Sequence, residues 1–279
     1  MIIVDAHHHF WDPAAADYPW MTGGYQALRR PYGPSDLAPS LAATGVDATI
    51  VVQARQELDE TQSLLETAST TEWIVGVVGW IDLTSNGVAD TIAAIRSAPH
   101  GRKLVGVRHL VHDEADPEWL LRDDVVAGLS ALADAGLTYD LLVRERELPA
   151  ATRVAKRLPE LRFVVDHLAK PDIATGEVEP WATLIGDIAA LPNVSCKVSG
   201  LVTEADWSSW QPEDLAPYIG TVVDAFGVER LMFGSDWPVC TLAADYVEVF
   251  EVTSAILTDL VGTGVESVLG RTAVATYLG

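Results

Sequence analysis

The sequence predicts an α/β fold, a (β/α)8 TIM-like barrel in a single domain, and three observations carry the prediction. Eight short, nearly continuously apolar runs recur along the chain. Amphipathic stretches of helical spacing separate them. Almost every run ends in a residue able to bind, charge or transfer a proton. Short apolar runs of this kind read as strands buried on both faces. Strand–helix alternation joins parallel strands by right-handed crossovers, and eight such units in about 250 residues are the content of a closed barrel. An open doubly wound sheet of similar size is the alternative. No linker, low-complexity tract or charge block divides residues 1–279, so one domain is expected.

The runs are Ile2–Ala6, Ala48–Gln53, Ile74–Ile81, Leu104–Arg108, Thr138–Val143, Arg162–Asp166, Val194–Val198 and Arg230–Gly234. Between them, Leu58–Thr71 and Val88–Ser97 carry a helical repeat of apolar residues. Asp123–Ala135 stops at Gly136, a natural C-cap. Leu148–Leu158 is followed by Pro159, Pro180–Ala190 stops before Pro192, and Pro212–Phe226 stops at Gly227. The first connection, residues 10–34, is long for a compact domain and holds Trp11, Tyr18, Trp20, Tyr25 and Tyr32. It reads either as a loop tacked to the barrel rim by aromatics or as a lid over the mouth.

Composition excludes several classes of partner. The chain has 40 Asp+Glu against 18 Lys+Arg, a formal net charge of -22. Such a surface disfavours nucleic acid and anionic membrane. The longest apolar stretch, Trp73–Ile81, is too short to span a bilayer. No signal peptide is visible at the N-terminus, and Cys196 and Cys240 make no disulfide framework, so a cytoplasmic setting is the expectation. The two thiols read as small buried groups. The oligomeric state is open, a homodimer being one option.

In a barrel of this type the chemistry sits where strands end at the C-terminal face. The first run leads into His7, His8 and His9, and extended backbone points His7 and His9 to one side and His8 to the other. Gln53 and Arg55 follow the second run, Trp80 and Asp82 end the third, and Arg108 and His109 end the fourth. The fifth carries Asp140; the sixth ends at Asp166, His167 and Lys170; the seventh carries Lys197 and Ser199; the eighth leads to Ser235, Asp236 and Trp237. His7, His9, His167 and Asp236 together form a donor set for one divalent ion. Asp236 is placed to serve as a general base for water. Its other reading is an Asx turn ending the strand before Pro238. Arg108 and Lys197 are candidates to stabilise an oxyanion, or else to pair with Asp140 or Asp166.

The runs VDAHHHFWDP, DHLAKP, CKVSGL and LMFGSDWPVC resemble the amidohydrolase superfamily, "amidohydrolase 2" type. Within it they are similar to the lactonase branch of L-fuconolactonase-like and L-rhamnonolactonase-like enzymes, and the likeness extends over the whole chain to a helical tail near residues 270–278. The resemblance implies a distorted (β/α)8 barrel that hydrolyses a ring ester. Carried over by position, His7 and His9 are the first-strand pair, His167 the sixth-strand histidine and Asp236 the eighth-strand aspartate. Metal-dependent members often have a carboxylated Lys or a Glu on the fourth strand and a His on the fifth; here stand Arg108 with His109, and Asp140. That departure points away from a binuclear site and toward one divalent ion, zinc or manganese, or none.

The expected reaction is therefore hydrolysis of a small-molecule sugar-acid lactone. Asp236 activates water, His7, His9 and His167 polarise the carbonyl or hold an ion that does, and Arg108 steadies the oxyanion. Gln53, Trp80, Lys197, Trp237 and Trp11 are the further candidates for substrate contact, with Trp207 as another aromatic wall. A metal-dependent decarboxylase of an aromatic or unsaturated acid is the alternative within enzymes, and a barrel that only binds a sugar acid is the alternative outside them. Cations and histidines gathered at strand ends imply a locally positive pocket inside an acidic shell, suited to a neutral lactone rather than a polyanion.

Overall fold

A computed structural model describes residues 2–279. Its strands are β1 Val4–His8, β2 Ala48–Val52, β3 Ile74–Gly79, β4 Leu104–His109, β5 Thr138–Leu141, β6 Arg162–Val165, β7 Val194–Val198 and β8 Leu231–Phe233. All neighbours pair in parallel, in sequence order from β1 to β8. The ring closes where the Asp236 N–H donates to the His7 carbonyl at 2.8 Å and the His9 N–H to the Trp237 carbonyl at 2.7 Å. The barrel expected from the sequence is thus the observed fold, and the open sheet is excluded.

Among the described residues, ten α-helices accompany the strands: α1 Pro34–Thr44, α2 Leu58–Thr70, α3 Val88–Ser97, α4 Asp123–Asp134, α5 Leu148–Arg157, α6 Trp181–Ala189, α7 Leu201–Glu204, α8 Pro212–Phe226, α9 Tyr246–Val261 and α10 Thr272–Tyr277. Their buried residues follow the helical period. In α8 these are Leu215, Tyr218, Ile219, Val222 and Phe226. Each strand is buried along nearly its whole length, with one face toward the helices and one toward the barrel interior.

The structure departs from the sequence reading in three places. First, β1 starts two residues later than expected and takes His7 and His8 into the strand itself. Second, α1, α7 and α9 form where the sequence reading has no helix. In α1, Pro34 and Pro39 disguise the pattern, yet Pro34 occupies the first turn and the Asp36 carboxylate accepts the Gly33 N–H at 2.8 Å. Third, the C-terminal α10 does not merely trail: Ala273 and Tyr277 pack with Val4, Ala6, Ile50, Val164 and Met232 and fill the barrel interior. The 10–34 connection contains one short 3₁₀ turn, Gly23–Leu28, and is tied across its base by paired backbone bonds between Trp11 and Tyr32. Among the described residues no single helix is long and apolar enough to cross a membrane. Cys196 and Cys240 are buried free thiols.

Candidate active site

Three strand ends build the centre. At β1, alternation sends His7 and His9 to one side and His8 to the other, where its Nε2 meets Thr49 Oγ1 at 2.8 Å. His7 Nε2 and His9 Nε2 lie 3.2 Å apart. The Val52 carbonyl lies 2.8 Å from His9 Nδ1, so that nitrogen donates to it and Nε2 is the one turned toward Asp236.

At β6 the chain turns left-handed. His167, Leu168, Ala169 and Lys170 have φ values of 54, 53, 60 and 52°. Each such non-glycine residue costs about 1–2 kcal/mol, so surrounding bonds must hold the turn. The indole N–H of Trp181 donates to the Leu168 carbonyl at 2.7 Å, and His167 Nδ1 meets Ser199 Oγ at 2.8 Å. The turn carries the His167 ring to 4.3 Å from that of His7, centroid to centroid.

At β8, Asp236 also adopts a left-handed conformation, φ 57°. Its Oδ1 lies 3.3 Å from His9 Nε2 and 3.8 Å from both His7 Nε2 and His167 Nε2. Burial alone would raise this carboxyl, but His167, His9 and Lys170 outweigh burial and hold it below the ordinary carboxylate range. Burial pushes His167 down to about 4 and His7 well below the usual imidazole value. At neutral pH the centre therefore holds an ionised Asp236 beside the neutral imidazoles of His7 and His167. Asp5 locks β8 to β1 beneath it. The Ser235 N–H and hydroxyl donate to its two oxygens at 2.9 and 2.6 Å, and the Tyr246 hydroxyl adds a bond at 3.1 Å. Burial pushes the Asp5 carboxyl up to about 6.

Below this centre lies a buried charge network. Arg108 on β4 places Nη1 3.1 Å from Asp166 Oδ2 and 3.2 Å from His7 Nε2, and donates to the Gln53 carbonyl. Lys197 on β7 reaches Asp140 Oδ2 at 2.5 Å, Asp166 Oδ1 at 3.0 Å and His7 Nδ1 at 3.2 Å. Asp166 itself lies 3.3 Å from His7 Nδ1. The Tyr277 hydroxyl donates to Asp140 from α10.

A cavity of about 580 Å³ opens above Asp236, walled by Trp20, Tyr25, Arg108, His167 and Lys170 among others. This revises several sequence-based expectations. Lys197, expected at the substrate, is fully buried in its ion pairs. Gln53 is likewise buried, its amide N–H donating to the Arg108 carbonyl at 3.2 Å. The Trp80 indole is committed to His109 Nδ1 at 3.2 Å. Trp11 packs among Tyr18, Trp20 and Tyr32, Trp237 packs against Phe10 and Tyr32, and Trp207 packs against Tyr25. The aromatic wall comes instead from Trp20 and Tyr25 of the 10–34 connection, with the Trp20 indole bonded to the Ala54 carbonyl at 3.0 Å. The aromatic richness of that connection is visible in the sequence; which rings face the cavity is not. Arg144, His112 and Asp113 also line the cavity and carry no sequence signal of their own. Three cations, Arg108, Arg144 and Lys170, line the cavity with two carboxylates, Asp113 and Asp236; Arg108 is paired with Asp166, and Arg144 and Lys170 with Glu204.

The donor atoms of His7, His9 and Asp236 lie within 4.8 Å of one another, as do those of His7, Asp166 and His167. The first trio fits a divalent ion: His9 is anchored through Nδ1 and turns Nε2 toward His7 and Asp236, and Asp236 faces both imidazoles, with Arg108 Nη1 also 3.2 Å from His7 Nε2. In the second, Asp166 is already bound by Arg108 and Lys197.

Gly200, at φ 66°, follows β7 under the His167 ring. A Cβ there would stand 2.6 Å from His167 Nδ1. Gly200→Ala is expected to displace the imidazole and lower kcat/KM by about tenfold or more, with about 1 kcal/mol of destabilisation from the left-handed backbone alone. Steady-state kinetics and urea melts check both parts.

The family model described as amidohydrolase matches residues 4–278. Over 245 residues the chain is 42% identical to L-fucono-1,5-lactonase of Burkholderia ambifaria, covering 87% of this chain and 82% of that protein. Over 256 residues it is 43% identical to L-fucono-1,5-lactonase of Burkholderia multivorans, covering 88% and 85%. A crystal structure of an amidohydrolase from Burkholderia multivorans with bound Zn superposes with a TM-score of 0.93 at 39% identity, covering 100% of this chain and 99% of that one.

Proposed function

The chain belongs to the amidohydrolase family, and on that premise we propose that it hydrolyses a sugar-acid lactone of the L-fucono-1,5-lactone type. One observation carries the reading: Asp236, a carboxylate set among three imidazoles, lies at the floor of a cavity large enough for a six-carbon lactone.

Asp236 removes a proton from water as the water attacks the lactone carbonyl. His167 holds its outer nitrogen toward Asp236 because Ser199 engages the inner one, and so orients the carboxylate and the attacking water. Arg108 borders the cavity and offers a fixed positive charge to the oxygen that becomes negative. Asp236 then returns its proton to the departing ring oxygen. A carboxyl held below its ordinary value is a strong acid toward an alkoxide, so this return is downhill. A divalent ion, when bound by His7, His9 and Asp236, supplies Lewis-acid polarisation of the carbonyl. Zinc accepts two imidazoles and a carboxylate, and the Zn-bound relative supports zinc over manganese. The 10–34 connection covers one side of the cavity through Trp20 and Tyr25, whose rings suit the apolar face of a sugar ring.

The test is a panel of lactones assayed with and without chelator, with spontaneous hydrolysis subtracted. Ring opening of hydroxylated lactones is expected. Carbon dioxide release from an aromatic acid, or saturable binding without turnover, overturns the reading. In a separate measurement, protein dialysed against zinc is expected to retain about one equivalent by elemental analysis, and His9→Gln to lose it. Equal retention by both proteins defeats the proposed ligand set.

A further inference from the structure

One polar cluster in the cavity is bonded to Glu204 rather than to Asp236, although the charge of Lys170 also helps hold the Asp236 carboxyl below its ordinary range. Lys170 ends the left-handed turn after β6, and Arg144 follows β5; both line the cavity. They share a partner, Glu204, the last residue of α7. Arg144 Nη1 lies 3.2 Å from Glu204 Oε2, and Lys170 Nζ donates to Oε1. Glu204 is nearly buried, with its side chain 10% exposed, so its carboxylate is a fixed anchor rather than a mobile surface group. Burial would raise its carboxyl, but Lys170 and Arg144 outweigh that and keep it ionised.

An ammonium has three donors and a guanidinium five. Glu204 takes one bond from each, which leaves donors on both cations for a ligand in the cavity that they line. We propose that Lys170 and Arg144, fixed by Glu204, are the specificity determinants that recognise the hydroxyl groups of a polyhydroxylated lactone. This rests on the lactonase reading. The sign pattern selects hydroxyls over a carboxylate. A hydroxyl is neutral and accepts from the remaining donors of the cations while leaving their pairing with Glu204 intact. A second carboxylate would compete with Glu204 for the same cations and approach it as a like charge. Lys170 lies on the same turn as His167, so recognition at this cluster sets the ring's position over Asp236. Glu204 acts through the two cations and is a positioning residue.

The experiment compares wild type, Lys170→Met and Glu204→Gln on L-fucono-1,5-lactone and on δ-valerolactone, the same ring without hydroxyls. Wild type is expected to favour the hydroxylated lactone. Each variant is expected to lose about 10- to 100-fold in kcat/KM on it, chiefly through KM, so that the preference ratio collapses by a similar factor. Glu204→Gln preserves shape and serves if Lys170→Met is poorly folded. A preference ratio within about twofold of wild type in Glu204→Gln overturns the inference. So does a wild-type preference for a lactone bearing a carboxylate. A wild-type protein that opens neither lactone defeats the lactonase reading itself, whereas a preference the variants retain defeats only this proposal.

Discussion

Asp236→Asn is expected to lower kcat on the best lactone by about a thousandfold and to leave the melting temperature nearly unchanged. General acid–base catalysis contributes about 10²- to 10⁴-fold, and Asp236 is proposed to act once as base and once as acid. The carboxamide cannot take the proton from water, so both steps fail together. The fold tolerates the change because asparagine, like aspartate, accepts the left-handed backbone at φ 57°. The backbone N–H at this position still donates to the His7 carbonyl in the variant, so the closure of the barrel is preserved. A pH-indicator assay under saturating lactone, with the uncatalysed rate subtracted, gives kcat; circular dichroism gives the melt. Turnover close to wild type would remove Asp236 from the mechanism.

Lys197→Met is expected to destabilise the protein by about 3–5 kcal/mol. The Lys197 ammonium is fully buried between Asp140 and Asp166 and has no exposed face. Asp166 is held well below the ordinary carboxylate range because Lys197, His7 and Arg108 outweigh the burial that would raise it. Asp140, with fewer cations near it, is pushed up to about 6 by burial. Removing the lysine leaves Asp166 with Arg108 and leaves Asp140 with hydroxyl partners, chiefly Tyr277, and no cation. The destabilisation is an effect of breaking a set, not the net worth of the pair. Lys197→Met combined with Asp140→Asn is therefore expected to recover part of the loss. Urea unfolding of the three proteins measures both numbers. A loss below about 1 kcal/mol in the single variant would mean that water or a shifted proton already compensates the site.

The same residue shows how far the sequence alone reaches. Lys197 alternates with buried neighbours on a strand, and strand periodicity says only that it faces the barrel interior. It cannot say at what height. The interior is stacked in layers, and the layer holding Lys197 is occupied by Asp140, Asp166 and Tyr277, below the mouth. The tyrosine arrives from α10, 137 residues away from Asp140 in the chain. Gln53 is drawn from its strand end into the same buried region for the same reason. Asp5, which joins β1 to β8 through Ser235 and Tyr246, is silent in the sequence because a buried carboxylate inside a strand has no local mark of its partners.

Local sequence did determine the barrel, since strand and helix periods and their alternation are short-range properties. It also determined which strand ends carry His7, His9, His167 and Asp236, because a closed parallel barrel brings all its C-terminal ends to one face. The tertiary structure alone decided which polar groups stand at the cavity and which are sealed beneath it. It turned Trp20 and Tyr25 inward while packing Trp11 and Trp237 into the protein, and it joined Lys170 and Arg144 through Glu204. Those outcomes depend on left-handed turns, loop paths and ion pairs between segments far apart in sequence. Their energies are set by burial and by partners that no local window contains.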